Sequence, residues 1–156
     1  MIGGEFKLCF ADIEIAEVQH KESDFPNDFG SWTPLPLSVD VELHRHLREY
    51  IAYSIESSRL LDETNAGPEW EDFIGREESR YLDLIEAETW YLVDSSGGRT
   101  SILIPIFHHD GGLVWRWNTA RFGDYDLLAL GELWPCPCPA RLRDCDPRAP
   151  PRCLRR

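Results

Sequence analysis

The residues in this chain best suited to chemistry stand together as His108-His109-Asp110, two imidazoles and a carboxylate of the kind that ligate a divalent metal or move a proton. They follow an apolar run over residues 101–107 and precede Gly111-Gly112, so they fall where a strand ends and the chain turns. Adjacent side chains in an extended strand point to opposite faces, so one ion takes both histidines only if the backbone bends there. No H-E-x-x-H and no third ligand at a recognised spacing accompanies them. His44 and His46 lie two apart in a helical stretch, about 200° around its axis, and cannot chelate together. The plainer reading makes 108–112 a hairpin turned at Asp110-Gly111. A small enzyme or metal protein using His108, His109 and Asp110 is the alternative.

Other catalytic signatures are missing from the sequence. It contains no G-x-S-x-G, no G-x-G-x-x-G and no G-x-x-x-x-G-K, so neither a nucleophile elbow nor a nucleotide loop is expected. Cys9 falls within a strand pattern and reads as a small core residue. Cys136, Cys138, Cys145 and Cys153 follow a C-x-C spacing with gaps of six and seven residues, without the paired knuckles of common zinc sites. The expectation is no metal, no cofactor, no disulfide and no nameable catalytic residue.

Two features point to binding instead. The stretch around Asp24, Phe25, Asp28 and Trp32 sets aromatic side chains beside carboxylates, as a recognition loop does. The competing reading has Phe25, Phe29 and Trp32 closing the end of the core. The second feature is charge. Residues 1–135 hold 10 Lys+Arg against 26 Asp+Glu, whereas 136–156 hold 6 Arg against 2 Asp, within a total of −12. Residues 56–88 alone carry 11 acids against 3 arginines, with Glu69, Glu77 and Glu78 among them. Such a body repels nucleic acid and anionic membranes and selects a basic protein partner.

These residues need elements to position them. Residues 5–10 alternate as a half-buried strand, and 12–18 continue as a second, with a bulge expected near Ala16-Glu17. Residues 19–37, with three prolines and no period, read as a long connection. A helix is expected from Ser38, as N-cap, to about Thr64, with Leu43, Leu47, Tyr50, Ile51, Ser54, Ile55, Ser58 and Leu61 inward. A second runs from Pro68 to Glu88, antiparallel to it, with Trp70, Phe73, Ile74, Tyr81, Leu84 and Ile85 inward. Three strands follow over 89–94, 101–107 and 113–118, with Leu113, Trp115 and Trp117 on one face. Pro105 cannot donate to a ladder, so the middle strand should be partnered to Ile104 and distorted beyond it.

The whole is an α+β domain over 1–118, of order ββααβββ, with two helices packed on one face of an antiparallel sheet. A weakly structured extension is expected over 119–135 and an irregular Pro/Arg/Cys-rich tail over 136–156. The N-terminal residues show no basic-then-apolar leader and no run spans a membrane, so a cytoplasmic protein is expected. The layout, with Asp24-Phe25-Pro26 and Trp32 in it, loosely resembles small uncharacterised bacterial single-domain proteins. That resemblance implies an α+β fold and carries no function. The functional expectation is an acidic, non-enzymatic binding module, of accessory or antidote type, for a basic protein.

Overall fold

The structure is a computed structural model that describes residues 4–118. The expected extension and the cysteine-bearing tail lie outside the described residues. Seven antiparallel strands form one sheet in the order β5-β4-β1-β2-β3-β7-β6, and the helices follow the third strand, so the fold is α+β. The strands are β1 (Glu5–Phe10), β2 (Ile13–Asp24), β3 (Asn27–Pro34), β4 (Trp90–Asp94), β5 (Arg99–Ser101), β6 (Ile106–Phe107) and β7 (Gly112–Trp115). The helices are α1 (Glu42–Thr64), α2 (Pro68–Glu77) and the one-turn α3 (Leu82–Ile85). The element order gains one strand before the helices and one after them.

The strand gained before the helices comes from the stretch expected to be a connection. β2 runs on to Asp24 and turns back through a cis Phe25-Pro26 peptide into β3. Its pattern escapes a period-of-two reading because Lys21 is an extra residue between paired His20 and Glu22, and because the inward positions include His20 and Asp28. The expected first bulge sits one residue earlier, with Ile15 and Ala16 both buried where Leu8 and Cys9 face Ala16 and Glu14. β1 and β2 join through a two-residue turn in which Ala11 takes φ +50°.

The second gained strand comes from Pro105. β5 pairs with β4 and β6 with β7, and the segment between them stays attached to the continuation of β7. Leu103 N donates to Arg116 O at 2.8 Å, Asn118 N donates to Ser101 O at 3.0 Å, and Ile102 bridges Trp117. The stretch 99–107 therefore touches β4 on one side and β7 on the other, and the sheet closes on itself. α1 replaces what the proline interrupts. Tyr50 donates its hydroxyl hydrogen to Pro105 O at 2.7 Å, and Ser54 Oγ accepts from Phe107 N at 2.8 Å.

Closure gathers Leu8, Ile15, Val18, Leu92, Ile102, Leu113, Trp90 and Trp115 into one core with Leu47 and Tyr50 of α1. Gly30 is needed there: a methyl group on it would lie 2.5 Å from Gln19 O and 3.1 Å from the Trp115 ring. α2 buries no residue and packs on α1. The single helix expected over 68–88 is broken by a 3₁₀ turn, Glu78–Tyr81. That tightening re-aims the chain so that Tyr81 stacks on Tyr53 and Leu84 enters the core, where its carbonyl accepts from Trp90 Nε1 at 2.9 Å. α1 begins at Glu42 without a side-chain cap, since Ser38 Oγ accepts from Asp40 N in the preceding turn. It ends at Thr64 as expected, with Asn65 in the left-handed region.

Candidate functional site

One end of the closed sheet opens into a depression of about 900 Å³, within the range of small-ligand sites. Its walls come from five separate segments: the start of β1 (Glu5, Phe6), the β2–β3 hairpin, the β4–β5 turn from Asp94, Leu103, and Arg116-Trp117. At its floor the hairpin brings His20, Ser23 and Asp28 together. His20 Nε2 lies 3.0 Å from Asp28 Oδ1, and Ser23 Oγ donates to the same oxygen at 2.5 Å. His20 and Asp28 are 4% and 6% exposed, so these bonds replace water for both. Arg116 Nε donates to Asn27 Oδ1 at 2.7 Å across the strand ends.

This trio is not a hydrolytic triad. Ser23 Oγ lies 3.1 Å from His20 Nε2, the nitrogen that also faces Asp28. A relay needs the nucleophile on one ring nitrogen and the orienting carboxylate on the other. Here the carboxylate is the acceptor and the two neighbours are its donors. What the arrangement makes is a fixed, buried carboxylate under an apolar rim, where Phe25 is 95% exposed and Leu103 is 45% exposed.

His108 and His109 do converge, on Ser58 of α1 and without Asp110. Ser58 Oγ is 3.0 Å from His108 Nδ1 and 3.2 Å from His109 Nδ1, and Asp62 Oδ2 is 3.6 Å from His109 Nδ1. A hydroxyl has one hydrogen, so Ser58 donates to one of these nitrogens and accepts from the other, which fixes opposite tautomers when both rings are neutral. Asp110 turns back to its own loop, accepting from Gly112 N at 2.8 Å. Among the described residues no group of three or more His, Cys, Asp or Glu is arranged to hold a metal. Ser58 is 4% exposed and does not line the depression at the end of the sheet. The cluster fastens α1 to the β6–β7 turn.

The residues expected to bind partners separate into three places. Asp24 and Phe25 are exposed at the hairpin tip, and Asp28 lies buried beneath them. Trp32 instead is half-buried and packs edge-on against Phe107, with ring centres 4.8 Å apart. It flanks the core rather than the hairpin tip, in a shallow depression it shares with Ile51 and Ile55 of α1. Glu69 and Glu78 are exposed on the helical layer, and Glu77 is tied to Arg80 at 2.7 Å. None of the 11 acids over residues 56–88 is buried. Two of the three arginines there are engaged locally, Arg59 with Glu56 and Glu63, and Arg80 with Glu77. Arg59 holds the Glu56 carboxyl below the usual carboxylate range, so the charge persists. The sequence assigned no role to His20 or Ser23, and placed Ser58 and Trp117 only as inward-facing residues of a helix and a strand. Only the polar residues at inward strand positions, His20 and Asp28, carried a signal that could have found the mouth.

Comparison with family models, curated proteins and solved structures matches this chain to none of them. Among the described residues no helix is long and apolar enough to cross a membrane.

Proposed function

We propose that this chain is a non-enzymatic, cytoplasmic binding module that covers a basic protein, as an accessory or antidote-type protein does. The observation that carries this reading is the exposed acid layer of the helices. Nine of the 11 acids over residues 56–88 are exposed, and their arginine neighbours Arg59 and Arg80 are occupied by local pairs. An excess of fixed negative charge on one layer raises the on-rate for a cationic surface and rejects anionic ones. Capture of basic proteins on the immobilised chain at rising salt tests it. Capture should fall steeply with salt and be lost when Glu69, Glu71 and Asp72 are changed together to Lys. If no captured protein is sensitive to both changes, the reading fails.

A second reading rests on the convergence of His108 and His109 at Ser58 and makes Ser58 a nucleophile. Its near-complete burial weighs against it. Labelling of Ser58 by a fluorophosphonate probe, mapped by mass spectrometry, would establish it, and an unmodified Ser58 at saturating probe would end it.

A further inference from the structure

We propose that the mouth of the closed sheet seats the guanidinium group of an arginine side chain, presented by an exposed segment of the basic partner. The inference rests on the binding reading above and names the point of insertion, which lies away from the acidic helices.

Three observations converge on that chemistry. First, the floor is a carboxylate, Asp28, whose two hydrogen-bonded neighbours, His20 and Ser23, both use Oδ1. Oδ2 keeps its capacity to accept, and a carboxylate at the bottom of a cavity is matched by a cation that brings several N–H donors. Second, the walls are apolar and aromatic: Phe6, Leu103 and Trp117 line the depression with Phe25 at its edge. Aromatic faces attract cations, and a planar guanidinium stacks on them with a smaller hydration penalty than a lysine ammonium. Third, the charge around the opening is complementary. Glu5 and Asp94 join Asp28 in the lining, against the single arginine Arg116, which is held by Asn27. Asp94 is kept ionised by hydrogen bonds from Ser96 and Gly98, which pull its carboxyl below the usual range.

The remaining feature is Phe25 itself. A phenylalanine 95% exposed at a hairpin tip buries almost none of its ring in the fold. Placed over the opening, it supplies a hydrophobic cover for the aliphatic stem of an inserted arginine. Asp24 beside it, also exposed, adds a charge at the point where the segment would enter.

The test is titration of the full chain with acetyl-Gly-Arg-Gly-amide, followed by tryptophan fluorescence and by indole NMR resonances. The same peptide with citrulline, which keeps the shape and loses the charge, and with lysine are the comparisons. Arginine should bind about tenfold or more tighter than citrulline, since hydrogen bonds to charged groups carry that scale of discrimination. Trp117 should be the indole that moves. Asp28→Asn should reduce arginine binding by about tenfold. Phe25→Ala, which cannot disturb the core, should weaken it severalfold and keeps the test valid if Asp28→Asn fails to fold. Equal binding of arginine and citrulline, absence of binding, or full affinity in Phe25→Ala would overturn the proposal. Failure here is separable from failure of the acidic-face reading. The peptide titration needs no partner, and a captured protein that is indifferent to Phe25→Ala but lost with the α2 reversals leaves the face and removes the mouth.

Discussion

Replacing Ser54 with alanine is the most direct test of how α1 holds the interrupted strand. Ser54 Oγ accepts from Phe107 N at 2.8 Å and donates to Phe107 O at 3.2 Å, so one hydroxyl serves both backbone groups of a residue with no exposed surface. Pro105 sits two residues earlier and cannot supply a ladder bond. In Ser54→Ala the Phe107 amide is left with neither water nor protein, which costs about 1–3 kcal/mol. Alanine returns roughly 0.5 kcal/mol through its better helix propensity. The net loss is about 0.5–2.5 kcal/mol, a fall of roughly 1 M in urea midpoint at the middle of that range and an ordinary m-value. Ser57→Ala is the matched control: Ser57 Oγ accepts from Trp70 Nε1 at 3.2 Å, but at a half-buried site where water can substitute. Urea unfolding followed by far-UV circular dichroism reads both. If Ser54→Ala loses no more than Ser57→Ala, the Ser54 hydroxyl does not hold the interrupted strand. Tyr50→Phe removes the neighbouring bond to Pro105 O, and the double variant should show coupling because both bonds hold one segment.

Ala11 has φ +50° in the β1–β2 turn, a region that penalises any Cβ, so Ala11→Gly should raise stability by about 0.5–1 kcal/mol in the same urea assay. A loss would show that the turn is not strained. Asp94 accepts from Ser96 N, Ser96 Oγ and Gly98 N, and its carboxyl is held below the ordinary value by those donors. A depressed carboxyl stabilises the fold above the unfolded pKa and loses that contribution as pH falls through the folded one. The melting difference between the native chain and Asp94→Ala should therefore be full near neutrality and shrink below about pH 4. A difference that does not change with pH would contradict this. Cys9 is buried, and burial pushes its thiol up, so peptide mapping after iodoacetamide treatment at pH 8 should find it alkylated only in denatured chain.

Periodicity alone revealed α1, because Leu47, Tyr50, Ser54 and Ser58 recur at helical spacing on the face that is buried, and Asn65 marks where it stops. Local pattern also revealed β1, β4 and β7, and composition the acid surplus of the helices, since each depends on residues near one another in the chain. The break in the second helix was not legible, because it serves Tyr81 and Leu84, whose partners lie on α1 and β4. Nor was the β2–β3 hairpin, whose inner face carries His20 and Asp28 where a pattern reader needs apolar residues. Polar residues at inward strand positions look like a loop until their partners are known. Composition and local pattern thus determined the class of fold and the sign of its surface. Tertiary structure decided that the sheet closes, that Trp32 packs against the core while Phe25 stays out, and that His108 and His109 meet Ser58 rather than Asp110. Each of those outcomes depends on contacts between segments distant in sequence, where the spacing of residues along the chain carries no information about distance in space.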